Sequence, residues 1–161
     1  MKKKKLSDLL ISVKPNTFMT FGAFVIIAVG VLGDIFSWPV LWQGLARKII
    51  GFTVFALGWA LHLYCHKFHK KAHEVADHIQ NVVTTGPFSS IRHPMYLGLL
   101  MMYFGLAVGW GIAWALIPAA FFSALVVITA IKEEQYLSDK LGSQYRDYMK
   151  RVPWRFIPKV F

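Results

Sequence analysis

The sequence predicts an all-α integral membrane protein with four transmembrane helices, the last two forming a C-terminal helical hairpin, and a cytoplasmic C-terminal cap. Three observations predict it. Hydrophobic residues make up 56% of the 161 positions and charged residues 16%, with a mean hydropathy of +0.47. That is more apolar and less charged than a soluble domain of this length. The apolar excess sits in long runs, which suits a bilayer better than a soluble core. The basic residues, which give a net charge of +10, flank those runs. A basic balance can signal nucleic acid. Here its placement reads as membrane topology and contact with anionic lipid heads, so nucleic acid is not an expected partner. The length suits one domain, 1–161, better than two.

The first apolar run covers about 17–38, long enough to span, and carries Asp34 near its end. Ser37-Trp38-Pro39 closes it, with Trp38 and Trp42 suited to an interfacial belt. Lys2 to Lys5 resemble a signal-peptide n-region, but polar and turn residues up to Asn16 precede the run. A cleavable signal is therefore not expected. The second run covers about 49–65, with Arg47 and Lys48 at its start, and its helix is expected to continue to about position 76. The single cysteine, Cys65, falls in this run and reads as a packing residue. Neither a CxxC nor a Cys/His zinc pattern is present, so no metal site is assigned.

A polar stretch from Cys65 to His93 follows, broken by the turn signal Thr84-Thr85-Gly86-Pro87. The segment 95–131 then carries no charge at all. As one helix it would be about 55 Å long, nearly twice the hydrocarbon thickness. Gly109-Trp110-Gly111 near its middle predicts a tight hairpin of spans at about 95–108 and 112–131. The tail from Lys132 is polar and amphipathic, helical to about Arg151, and ends in a segment with Pro153 and Pro158. Sixteen of the 18 Lys and Arg fall in the two tails and the central loop. That asymmetry places both termini in the cytoplasm of an integral membrane protein, in the cell membrane of a prokaryote or in an endomembrane.

This topology gathers Arg92-His93-Pro94-Met95-Tyr96, at the start of the hairpin, beside Glu133-Glu134 at its end. Antiparallel helices pack within about 10 Å, so these groups should meet although about 40 positions separate them. Singly, each has an ordinary reading. Arg92 and His93 suit a positive-inside flank, Pro94 a first helical position, and the glutamates a solvated end. An acidic pair beside a span brings no topological benefit, however. Converging ionisable groups at a membrane boundary point to a functional site.

From Thr85 onward the motifs resemble those of a known family. They are Thr85-Gly86-Pro87-Phe88, Ile91-Arg92-His93-Pro94-Met95-Tyr96-Leu97-Gly98, Lys132-Glu133-Glu134, 141–148, and Arg155-Phe156-Ile157-Pro158. Their order and spacing over about 78–161 resemble the isoprenylcysteine carboxyl methyltransferases and the related phospholipid methyltransferases. The resemblance implies a membrane enzyme that takes a methyl group from S-adenosyl-L-methionine. The cofactor would lie at the cytoplasmic end of the hairpin, in a region formed by 73–96 and 132–161. Carried over by position, Gln80, Asn81, Val82, Val83 and Phe88 would contact it, and His93, Pro94, Met95 and Tyr96 would line its pocket; His73, just upstream of this loop, is expected to contact it too. Glu133 would hold one of its polar groups and Glu134 would support Glu133. Arg92, Glu133 and Glu134 are the implied catalytic residues.

Carboxylates and aromatic faces suit a ligand that carries a sulfonium and an ammonium. No strand followed by a glycine-rich loop offers a Rossmann alternative. One position departs from the pattern. Thr129 stands where many carboxyl methyltransferases of this family have an arginine, implied to hold the acceptor carboxylate. Unless Arg92 or Arg155 substitutes, this favours a neutral or amine acceptor. The expected partners are a lipophilic small-molecule or lipid acceptor and the membrane lipids. A prenylcysteine-like carboxylate, a phospholipid amine and another small lipophilic molecule all stay open.

His62, His66, His69 and His73 fall on one helix face. The alternative function they support is a haem- or metal-binding membrane protein. The ordinary reading is a cytoplasmic helix extension facing the cofactor lid or water.

Overall fold

The computed structural model describes residues 15–41, 43–68 and 81–160. Among them are five α-helices, which we label α1 (Pro15–Ile35), α2 (Leu45–His66), α3 (Pro94–Trp110), α4 (Ala113–Leu141) and α5 (Ser143–Arg151). A short 3-10 turn, Gly86–Ser89, precedes α3. No strand occurs among the described residues, only an isolated bridge between Val40 and Ile112.

By length and composition, α2 and α4 can each cross a bilayer. α3 and the described apolar part of α1, Thr20–Ile35, are shorter. Large apolar side chains point outward from all four helices. Phe24, Ile49, Trp59 and Phe121 are each more than half exposed, a surface that water would penalise and lipid accepts. The α1 helix stops at Ile35, where Ser37 takes a positive φ of 52°. Pro39 disfavours helical geometry at Trp38 and makes the stop firm.

α2 closes at His66, with Lys67 as its cap. The expected continuation past position 68, including His69, His73 and Gln80, lies outside the described residues, as does Trp42. At its other end α2 begins four residues before the apolar run, because Arg47 has a structural task there. Its guanidinium donates to the carbonyl oxygens of Gly109 and Trp110, at the C-terminal end of α3 where the last carbonyls lack intrahelical partners. Gly111, at φ 67°, then reverses the chain into α4. Only glycine enters that region without strain.

The tightest helix pair is α2 with α3, and glycines make it so. Gly51 and Gly58 face Gly98 and Gly105; both spacings are seven, two turns on one face. A Cβ on Gly58 would stand 2.5 Å from the Gly98 carbonyl oxygen, and one on Gly98 would stand 2.6 Å from that of Gly58. Neither position has room for a side chain. α1 and α4 complete the core, Ile26 of α1 and Phe122 and Val126 of α4 joining Tyr103 of α3 in one buried cluster. α4 is 29 residues long, so it runs on past the apolar segment to Leu141. That overhang carries Glu133 and Glu134 and gives α5 a wall to pack on, through Leu137, Tyr145, Tyr148 and Val152.

Candidate functional site

The site forms where α3 begins and the polar half of α4 leaves the apolar region. Pro94 occupies the first position of α3, its missing N–H costing nothing there. His93 precedes it with non-helical dihedrals, φ −124° and ψ 56°. That geometry turns the Arg92 and His93 backbone outward to meet the C-terminal segment. The Arg92 N–H donates to Trp154 O at 2.8 Å, and the His93 N–H donates to Arg155 O at 2.9 Å. The segment after α5 is thereby strapped across the head of the hairpin.

Glu134 sits beneath this strap, 3% exposed. Its Oε1 accepts from Arg92 Nε at 2.7 Å and stands 3.0 Å from His93 Nε2; its Oε2 accepts from Arg155 Nε at 3.0 Å. Arg92 uses a further N–H on Val152 O at 2.8 Å. One carboxylate thus joins α4, the start of α3 and the strap. Burial alone would raise its pKa, but the hydrogen bonds and charges of His93 and Arg92 win and lower it to about 2.

Glu133 is placed differently. It is half-buried, and its Oε2 accepts from the Tyr96 hydroxyl at 2.9 Å. The Tyr96 ring stacks on His93 with centroids 5.4 Å apart, and Phe156 of the strap lies 5.9 Å from the same imidazole. Tyr145 lies in the field of both glutamates; burial first, and then their charge, raise its pKa. Tyr148 donates to Phe88 O at 2.7 Å, tying α5 to the 3-10 turn, and burial pushes its hydroxyl up to about 12.

The structure brings Arg92, His93, Tyr96, Glu133 and Glu134 into one cluster. Pro94 is fully buried beside it. Phe88 and Met95 instead join Cys65 in a second apolar cluster toward α2, with Val83 against it. Val82 packs on the α4–α5 cluster, and Asn81 is exposed. His73 and Gln80 are outside the described residues. Two members of this architecture carry no site assignment from the sequence, Arg155 and Tyr148. Both lie in the quoted C-terminal motifs, which was the available signal; their partners could not be read from it. Thr129 donates to its own helix, at Leu125 O, at 2.8 Å. Of the histidine stripe, His62 and His66 pack edge to face with centroids 5.2 Å apart. No three His, Cys, Asp or Glu among the described residues are grouped to hold a metal ion.

Comparison with known proteins bears on this arrangement. The family model for phospholipid methyltransferase matches residues 46–144, from α2 through α4. The chain is 34% identical over 85 residues to a Delta(14)-sterol reductase of Mus musculus, a match covering 51% of this chain and 20% of that protein. It is 31% identical over 94 residues to Methanethiol S-methyltransferase 1 of Bradyrhizobium diazoefficiens, covering 52% and 32%. It is 29% identical over 127 residues to the nickel-cobalt-cadmium resistance protein NccN of Alcaligenes xylosoxydans xylosoxydans, covering 77% and 55%. The chain thus spans between about a fifth and about half the length of these relatives.

Proposed function

Because the chain belongs to the phospholipid methyltransferase family, we propose that it transfers a methyl group from S-adenosyl-L-methionine to a lipophilic acceptor. One named relative is a methyltransferase and another a sterol reductase, so likeness to a single relative does not choose the chemistry. The family match favours methyl transfer. In this reading α1 and α3 span the membrane with α2 and α4, both termini face the cytoplasm, and the strap with α5 forms the cap.

The observation that carries the proposal is the division of labour between the two glutamates. Glu134 is consumed by Arg92, His93 and Arg155. Glu133 shares one oxygen with Tyr96 and remains half-buried at the edge of an aromatic cluster. This donor set fits the cofactor. A carboxylate suits the ammonium, and electron-rich ring faces suit the sulfonium. Glu133, Tyr96 and His93 would hold it, with Asn81 to Val83 and Phe88 on the flank. The bound cofactor supplies an activated methyl group. The protein's part is to orient the reactants and exclude water. Arg92 and Glu134 act by position, fixing the first turn of α3 under the strap.

Calorimetry of the purified full chain with S-adenosyl-L-methionine tests the pocket. Glu133→Gln removes a charge that a cation would contact, so affinity should fall about 10- to 100-fold, as for a lost charged hydrogen bond. Unchanged binding by Glu133→Gln refutes the assignment. Labelled cofactor incubated with a lipid extract, followed by product analysis, identifies the acceptor.

A further inference from the structure

On the methyltransferase reading, a lipophilic acceptor reaches the site from the bilayer, and the helix seams decide where. The seam between α2 and α3 is shut, because Gly58 and Gly98 leave no space between the two backbones. α1 leans on α3 and α4, and α2 leans on α3, but α1 and α2 make little direct contact. A groove therefore runs between α1 and α2 with α3 as its floor. It holds a cavity of about 290 Å³. Phe24 of α1 and Trp59 of α2 line this cavity, and both are more than half exposed on the surface suited to lipid. The cavity thus opens sideways toward hydrocarbon. Ala23 and the buried Leu99 form its inner wall.

The lining has a polar end and an apolar end. Thr20 and Ile27 line it seven residues apart, about 10 Å along α1. Trp110 at the far end of α3 bonds Asp34 at the far end of α1, so Thr20 lies at the end where α3 begins. His62 lies there too, its Nδ1 3.3 Å from the Met95 carbonyl oxygen. Met95 precedes Tyr96, whose hydroxyl bonds Glu133. Leu99 follows Tyr96 by about one turn and joins it in the same buried cluster. The polar end therefore adjoins the proposed cofactor pocket, and the apolar end points into the membrane.

Size selects the occupant. An apolar cavity of about 150 Å³ admits benzene, so this one admits roughly ten to twelve carbons. Spread over about 10 Å of helix, its volume leaves a cross-section of roughly 30 Å². Heavy atoms touch at about 4.0–4.5 Å, so one chain fits that width and two do not. Lipid chains are as apolar as the walls, so the groove selects by fit rather than by hydrophobicity. We propose that this groove seats one hydrocarbon chain, about ten carbons of it, belonging to the methyl acceptor, with the acceptor's polar group at the Thr20 and His62 end. The proposal rests on the methyltransferase reading and narrows the acceptor to an amphiphile that carries such a chain.

The test places the full chain in phosphatidylcholine vesicles with dodecan-1-ol carrying a diazirine at mid-chain. Irradiation and peptide mapping should find label at Ala23 and Leu99. A tenfold excess of unlabelled dodecan-1-ol should lower that label about 10-fold by mass action, whereas butan-1-ol at the same mole fraction in the bilayer should not. Ala23→Phe fills the greater part of the cavity and should cut label at Leu99 at least about 10-fold, leaving outward-facing Phe121 labelled as before. Ala23→Leu, a milder filling, should give a smaller cut. With methyl-labelled S-adenosyl-L-methionine and a lipid extract, the product should carry a chain of at least about ten carbons. Ala23→Phe should lower its formation by at least about 10-fold at unchanged cofactor affinity in calorimetry. Label that follows the probe content of the bilayer without saturating shows bulk lipid in the groove and overturns the proposal. A product without such a chain, or formation unchanged in both variants, also overturns it. If wild type binds no S-adenosyl-L-methionine, the methyltransferase reading falls and takes the acceptor assignment with it. Intact cofactor binding with unsaturable label removes this proposal alone.

Discussion

Glu134→Ala should be among the most damaging single changes at the hairpin head, and the structure gives its size. The substitution strands three partners, but they do not suffer equally. The Arg155 side chain is 27% exposed and can turn to water. Arg92 cannot. Its side chain is 5% exposed, and a guanidinium cannot shed its proton. Breaking a buried pair by removing one partner costs about 3–5 kcal/mol. The carboxylate's own titration gives a similar figure. A fall from 4.5 to about 2 corresponds to about 3 kcal/mol of preference for the charged form in the fold.

The sign follows from the depressed value. The contribution is complete above the unfolded-state value and is lost as pH falls toward about 2. Unfolding of the detergent-solubilised chain, followed by tryptophan fluorescence, should show a gap of about 3–5 kcal/mol between wild type and Glu134→Ala at neutral pH. Near pH 3 the part due to titration should shrink to less than about half. A gap below about 1 kcal/mol, or one that does not change with pH, would refute the argument that Glu134 is the charged keystone.

Three further outcomes follow from the packing. Gly98→Leu places a Cβ 2.6 Å from the Gly58 carbonyl oxygen, backbone that cannot step aside, and should cost about 1–3 kcal/mol in the same unfolding assay. Arg47→Ala uncaps the end of α3 and should destabilise by about 1–2 kcal/mol; on the proposed reading, calorimetry should show unchanged S-adenosyl-L-methionine affinity at the opposite end. Tyr148→Phe leaves the Phe88 carbonyl without this donor; a loss of about 1–3 kcal/mol is expected, with faster proteolysis around the 3-10 turn as the independent readout.

Much of the helical plan was legible in the sequence. Uncharged runs of spanning length leave the backbone little choice but helix, because lipid supplies no hydrogen bonds. Gly109-Trp110-Gly111 marked the reversal between α3 and α4, since an uncharged segment of that length must fold back. The meeting of Arg92, His93 and Tyr96 with Glu133 and Glu134 was also legible, because antiparallel neighbours share their ends. Helix limits were less so. α2 begins early because Arg47 caps another helix, a contact that no local pattern encodes.

What the sequence determined by itself, then, was an all-helical chain with long apolar runs and an ionisable cluster at one end of a hairpin. Period, hydropathy and charge placement are local quantities and can be read in one dimension. Only the tertiary structure decided which glutamate is spent and which remains. Glu133 and Glu134 are adjacent and chemically identical, but about 100° apart around the helix. One faces Arg92, His93 and the returning Arg155; the other faces the Tyr96 hydroxyl. That difference depends on the strap, which reaches Glu134 across 21 positions of sequence and Arg92 across 60.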